Sequence, residues 1–313
     1  MLSVNGINIH AAELGEGPLV LLCHGWPELW YSWRHQLPAL AAAGFRAVAI
    51  DMRGYGETDA PADVSAYNIL QLVGDTVGVV AALGEERAIM VGHDWGATVA
   101  WASAQLRPDV FYAVAGLSVP HRGRGPADPI AMLRASGSEN YYWMYFQEPG
   151  VAEAELERDV TMSIRKVLYG ASGDSPTAGS LGNVPAGRGF LDQRDDPTEL
   201  PAWLTKEDIA VYAAAFTRTG FRGGLNWYRN LSLNWELQSP WQGAKITQPA
   251  LFIAGSRDPM IVGKRGLASL ANMQRVVPGV QSSILEGAGH WIQQERPNEV
   301  NAALVAFAKS VAT

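Results

Sequence analysis

Gly92-His93-Asp94-Trp95-Gly96 follows the apolar run Ala88-Ile89-Met90-Val91 and precedes the helix-like stretch Ala97 to Leu106. A strand that runs through such a turn into a helix reads as a nucleophile elbow, here carrying aspartate where serine is usual. The exchange redirects the chemistry. A carboxylate, with a reference pKa of about 3.9, is ionised at neutral pH and needs no partner base to become nucleophilic. Its natural target is a saturated carbon bearing a leaving group.

Working outward from the elbow, short apolar or β-branched runs alternate with helix-length stretches: Pro18 to Cys23, Arg46 to Ile50, Ala88 to Val91, Ala113 to Leu117, Pro249 to Ala254 and Gln281 to Leu285. This rhythm predicts an α/β fold, a mostly parallel central sheet flanked by helices on both faces. Tyr31 to Ala43, Asn68 to Leu83 and Glu299 to Lys309 are long enough to be crossover helices, with Gly44 and Gly84 at C-cap positions. The pattern breaks after Ser118. From Pro120 to about Pro240 strand-like runs are scarce, tryptophan and tyrosine cluster, and helical stretches such as Val151 to Leu168 and Lys206 to Thr219 appear. The expected division is therefore a core of residues 1–120 and 241–313 with a helical cap, 121–240, inserted between them. Gly170 to Gly189, rich in glycine, serine and proline, is expected to be a mobile loop.

The run Leu19 to Cys23 leads straight into His24-Gly25-Trp26-Pro27-Glu28, a loop placed to present a backbone N–H to an oxyanion. The two donors would be the amides of Trp26 and Trp95, and the Trp26-Pro27 bond is a candidate cis peptide. An acid and a histidine should follow in that chain order. Ala254-Gly255-Ser256-Arg257-Asp258-Pro259 supplies Asp258, and Glu286-Gly287-Ala288-Gly289-His290-Trp291 supplies His290. Each residue alone has a plainer reading: Asp94 as a helix N-cap, Asp258 as a turn residue, His290 as a loop histidine. Their joint order after strand-like runs favours catalysis. His10, His35 and His121 read as surface or boundary residues, and His24 and His93 as packing and hydrogen-bonding groups.

Bulk properties narrow the partner. Lysine and arginine total 24 against 31 acidic residues, a net charge of −7 with no basic run, which argues against nucleic acid or an anionic membrane surface. No stretch approaches the roughly 20 apolar residues of a membrane-spanning helix. Cys23 is the single cysteine, so no intrachain disulfide is possible. The opening Met1-Leu2-Ser3-Val4-Asn5-Gly6 lacks a signal-peptide pattern, and the expected location is the cytoplasm. No cofactor or metal is called for, since no metal-ligand spacing is present. A homodimer is compatible with these properties.

At these residues the chain resembles the epoxide hydrolases of the α/β-hydrolase fold, soluble epoxide hydrolases in particular, over nearly its whole length. Dehalogenases share the two core motifs. More specific are Tyr145-Phe146-Gln147-Glu148-Pro149-Gly150 and Gly220-Phe221-Arg222-Gly223-Gly224-Leu225-Asn226-Trp227-Tyr228-Arg229-Asn230, which resemble the cap segments holding two ring-opening tyrosines. Matched residue by residue, those fall on Tyr142 and Tyr228, with Tyr141 and Tyr145 as the nearest alternatives. Candidate substrate-binding side chains are Trp26, Trp95, Trp143 and Trp291.

The resemblance implies hydrolysis of an apolar epoxide to a vicinal diol in two steps. Asp94 would form an ester with the substrate while Tyr142 and Tyr228 hold the epoxide oxygen. Water activated by His290, itself oriented by Asp258, would then attack the carboxyl carbon of Asp94. Epoxide opening makes an alkoxide, a poor leaving group that needs a proton from an acid still protonated at pH 7, and a phenol meets that need. His290 is expected to stay neutral in the first step. A haloalkane dehalogenase would share the Asp nucleophile and could use Trp95 as a halide donor, without needing the tyrosine pair. A non-catalytic receptor on the same fold is the alternative from another class.

Overall fold

The apolar runs do become neighbouring strands. In the computed structural model, which describes residues 1–178 and 182–312, the chain opens with a hairpin of β1 (Leu2–Val4) and β2 (Ile7–Ile9). Then come β3 (Ala11–Leu14), β4 (Leu19–Cys23), β5 (Arg46–Ile50), β6 (Ala88–His93), β7 (Phe111–Leu117), β8 (Ala250–Gly255) and β9 (Gln281–Leu285). β3 to β9 form a seven-stranded sheet in the order β3-β5-β4-β6-β7-β8-β9. β3 is antiparallel to β5 and the other pairings are parallel.

Because successive side chains leave a strand on opposite faces, each central strand feeds two cores. Leu21 and Cys23 of β4 and Met90 of β6 enter one, with Val99 and Trp101. Val20 and Leu22 of β4 and Ile89 and Val91 of β6 enter the other, with Leu37, Leu304 and Phe307. The helices that cover them are α1 (Gln36–Ala42), α2 (Ile69–Ala82), α3 (Trp95–Leu106) and, after the insertion, α11 (Gly263–Val276), α12 (Ile292–Glu295) and α13 (Pro297–Val311). β4, β6 and β8 are buried at every position, which explains why they read as continuous apolar runs rather than alternating ones. Asn68 caps α2 by accepting from the amides of Leu70 and Gln71. Gly44 and Gly84 follow α1 and α2 with φ of +91° and +78°, the left-handed conformation that ends a helix. The helix expected over Tyr31 to Ala43 is instead a 3₁₀ turn, Trp30–Trp33, followed by α1. Pro38 lies in the first turn of α1, where a missing N–H costs nothing, so it marks a helix start.

Between β7 and β8 the chain forms α4 (Pro129–Ala135), α5 (Tyr142–Tyr145), α6 (Val151–Leu156), α7 (Val160–Gly170), α8 (Lys206–Thr219), α9 (Arg222–Arg229) and α10 (Leu231–Leu237). The outgoing and returning segments are clasped together. Arg124 donates to the Trp235 carbonyl (2.7 Å) and to Gln242 Oε1 (2.6 Å), and its guanidinium lies 3.8 Å over the Trp235 ring. The stretch Val151 to Leu168, expected as one helix, breaks at Glu157–Asp159. Asp159 leaves helical geometry and caps α7 by accepting from Met162 N, while Glu157 turns to accept from Phe221 N.

The mobile loop expected over Gly170 to Gly189 is corrected in its first part. Ser172 and Ser175 are fully buried, and Gly173 N donates to Glu295 Oε2 at 2.9 Å. Residues 179–181 of that stretch lie outside the described residues. No helix among the described residues is long and apolar enough to cross a membrane.

Candidate active site

At the end of β6 the backbone turns sharply at Asp94, whose φ of 52° and ψ of −118° are strained for a residue with a side chain. Such a conformation costs about 1–3 kcal/mol and persists only where the surroundings enforce it. The enforcement is close packing: a Cβ on Gly92 would overlap the carbonyl of Gly96, and one on Gly96 would overlap the carbonyl of Cys23. The carboxylate makes no capping bond to α3, which sets aside the helix-cap reading. It reaches across instead. Oδ1 accepts from Trp26 N at 2.9 Å, and Oδ2 lies 3.3 Å from His290 Nε2. Gly25 makes room for this, since a Cβ there would strike the Asp94 side chain. Trp26-Pro27 is a cis bond. Trp95 opens α3, so its amide has no partner within the helix and sits at the same turn.

Asp258 follows β8, is fully buried, and accepts from Met260 N at 2.8 Å. Both its oxygens lie 3.2 Å from His290 Nδ1. The His290 peptide is held at both ends: its N–H donates to Ala171 O (2.9 Å), and its carbonyl accepts from Ser118 Oγ (2.6 Å) and His93 Nε2 (2.7 Å). Burial disfavours a charged His290, but Asp258 on one side and Asp94 on the other outweigh it and hold the imidazole pKa well above its usual value. This shift runs against the expectation of a neutral ring in the first step. Two carboxylates, one at each nitrogen, favour the imidazolium.

Beneath the site lies a polar cluster that sequence reasoning did not assign. Glu28, fully buried, accepts from Gly25 N (3.0 Å), His93 Nδ1 (2.6 Å), Gln293 Nε2 (2.8 Å) and Gln294 Nε2 (3.3 Å). Burial alone would raise its pKa, but His93 and the Gly25 amide overcome that and bring it to about 2. Both ring nitrogens of His93 face oxygen acceptors, Glu28 and the His290 carbonyl, so the histidine next to Asp94 braces His290. Glu295 plays a similar part, accepting from Gly289 N, Gly173 N and Trp291 N. The available signal was Glu28, inside the quoted loop motif, three residues from a glycine amide that needs an acceptor. His24 matches its expected role: its ring accepts from Met52 N and bonds the Gly25 carbonyl.

From above, the insertion contributes Tyr142 at the start of α5 and Tyr228 on α9. Their ring centroids are 5.9 Å apart at 71°, and Tyr228 also meets Trp95 edge-on at 5.1 Å and Phe146 at 5.0 Å. Burial, and then neighbouring groups that include Asp94, raises both phenol pKa values well above the usual, so both stay protonated. Their relative position is fixed by Arg229, which pairs with Glu153 (2.8 Å) and donates to Phe146 O (3.1 Å), and by Gln147, which donates to Tyr228 O (3.0 Å).

The two tyrosines and Asp94 line both arms of a cavity. The wide arm, about 230 Å³, is also lined by Trp95, Trp101, Trp143 and Leu231, and the narrow arm, about 40 Å³, by Trp26, Trp291, Phe190, Arg194 and His290. Tyr145 donates to Glu155 and, like Tyr141, lines neither arm. His121 fits the boundary part of its reading: half-buried where the insertion begins, it lines the wide arm with its Nε2 buried and unpartnered, and burial lowers its pKa to about 4.

Comparison with known proteins agrees with this geometry. Residues 18–160 match the family described as alpha/beta hydrolase fold. Over 98% of its length the chain is 45% identical to epoxide hydrolase A of Mycobacterium tuberculosis, covering 96% of that protein. A solved epoxide hydrolase from an endophytic Streptomyces superposes with a TM-score of 0.92 at 50% identity, covering 96% of this chain and 92% of that one. Epoxide hydrolase I of potato superposes with a TM-score of 0.92 at 40% identity, covering 99% and 98%. The chain belongs to the epoxide hydrolases of the α/β-hydrolase fold.

Proposed function

We propose that this protein converts an epoxide and water into a vicinal diol through an ester on Asp94, with residues 121–240 acting as the cap over a core of residues 1–120 and 241–313. The observation that carries the assignment is the position of Asp94. Its carboxylate is fixed between Trp26 N and His290 Nε2 and borders the same cavity as two buried phenols.

In the first step Asp94 attacks an epoxide carbon from the face opposite the breaking C–O bond. Tyr142 and Tyr228 hydrogen-bond the departing oxygen, and one of them gives it a proton. Ester formation removes the negative charge on Asp94, and with it one of the two carboxylates that keep His290 protonated. The imidazolium then returns a proton to the phenolate, and His290 becomes a neutral base when one is needed. In the second step His290 takes a proton from water as the water attacks the Asp94 carboxyl carbon. The oxyanion forms against the amides of Trp26 and Trp95. Collapse expels the diol alkoxide, which takes the acid proton of the regenerated carboxyl group, so the cycle ends with Asp94 ionised and His290 protonated again.

The wide arm favours an apolar substituent on the epoxide, with Trp95 and Trp143 there and Trp26 and Trp291 in the narrow arm as substrate-binding side chains. A cytoplasmic location is part of the proposal, in keeping with the lone buried Cys23. The test is a single turnover in heavy-oxygen water with enzyme in excess. The first diol should carry ordinary oxygen drawn from Asp94, and solvent oxygen in that first diol would refute the ester route.

A further inference from the structure

Arg194 is the unusual group in the cavity wall. It sits in the segment between α7 and α8, is partly buried, and lines the narrow arm together with Asp94, Tyr142, Tyr228 and His290. Its stem lies near Gly170, where an added Cβ would come within 3.2 Å of its Cγ. The guanidinium lies 3.5 Å over the Phe190 ring, and Nη1 donates to Phe190 O at 2.9 Å. Among the described residues no carboxylate pairs with it. The acids nearest in sequence are engaged elsewhere, Asp195 accepting from Ser175 and Thr177 and Asp192 from Gly189 N, and Glu155, whose charge also favours the guanidinium, is taken up by Phe190 N, Leu191 N and Tyr145. A guanidinium has five N–H donors, and Nη1 to Phe190 accounts for one.

Resting on the epoxide-hydrolase reading, we infer that Arg194 is a specificity-determining residue that selects epoxides bearing a carboxylate directly on the oxirane ring, seated in the narrow arm, with the apolar substituent in the wide arm. Size supports the placement: a cavity of about 40 Å³ holds on the order of three water-sized groups, which suits a carboxylate and little more. Charge supports it too. Burial lowers the Arg194 pKa to about 10, which leaves it a cation at neutral pH.

The experiment compares trans-3-phenylglycidate with trans-β-methylstyrene oxide, which has a methyl group in place of the carboxylate, on the native protein, Arg194→Met and Arg194→Lys. For Arg194→Met, kcat/KM on the glycidate should fall about 10- to 100-fold while the methyl epoxide changes less than threefold, and Arg194→Lys should keep part of the preference. Equal losses on both epoxides, or no loss on either, would overturn the inference. So would a native protein that opens the methyl epoxide and rejects the glycidate, an outcome that leaves the general activity intact. Binding of trans-cinnamate, an alkene with the same carboxylate, tests the residue without turnover. It should weaken at least tenfold in Arg194→Met, and unchanged binding would refute the role even if no epoxide were opened.

Discussion

The floor and the roof of the cavity are built differently. On the floor, Asp94, Asp258 and His290 stand at the ends of β6 and β8 and in the loop after β9, and each is held by at least two polar contacts. On the roof, Arg229 and Gln147 place the segments that carry Tyr142 and Tyr228, while the two rings themselves rest in aromatic packing against Trp95, Phe146 and Phe190. Hydrogen bonds fix a group to within tenths of an ångström. Aromatic packing fixes a plane and leaves the polar tip free to meet a ligand. On the proposed mechanism the floor holds a covalent partner through two steps, whereas the roof follows an oxygen as its charge grows.

That contrast predicts unequal losses. Asp94→Ala removes the nucleophile and should reduce kcat/KM for any epoxide by at least about 10⁴-fold, measured by diol formation. His290→Ala should leave the first step running and block the second. Incubation with an epoxide should then raise the intact mass of the protein by one substrate, and no mass increase would break the assigned order of events. Tyr142→Phe and Tyr228→Phe each remove one of two donors and should cost about 10²-fold, with the double variant far below either. If either single variant lost as much as Asp94→Ala, the roof would be as rigidly committed as the floor.

The same contrast governs what could be read before the structure. Asp94, Asp258 and His290 were legible because chain order and strand ends place them: an apolar run followed by a turn is a local signal, and the parallel sheet brings such ends together. The tyrosines lie on short helices whose relative placement depends on Arg229 and Gln147 reaching across the insertion, and nothing local marks them, so they rested on resemblance. His93 was legible as a hydrogen-bonding group, but Glu28 escaped because it lies 65 residues from that histidine in the chain. The opening hairpin was missed although Asn5-Gly6 between apolar runs is a strong turn signal, and both residues do take positive φ, 46° and 77°. Strands of three residues are too short to show their period.

The smallest expected effects concern stability, and they too divide floor from roof. Glu28 beneath the floor and Glu153 in the roof are carboxylates paired with a histidine and an arginine, and both have lowered pKa values. Burial opposes the shift in each case, His93 overcoming it for Glu28 and Arg229 for Glu153. Glu28→Ala would strand a fully buried histidine and should cost about 3–5 kcal/mol, lowering Tm by roughly 5–8 °C. Glu153→Ala should cost about 2 kcal/mol, because the Arg229 guanidinium it leaves also bonds Phe146 O and Asn226 Oδ1. A carboxylate whose pKa is depressed by folding adds stability that is fully present above its unfolded pKa, near 4.5, and is lost as pH falls toward the folded value. For Glu28 that window runs from about 4.5 down to about 2. Melting curves over this range should show the native protein losing more stability than Glu28→Ala does, with Glu153→Ala close to native. Parallel acid curves for all three would mean that neither pair contributes as its geometry implies, and the distinction between a hydrogen-bonded floor and a packed roof would lose its thermodynamic support.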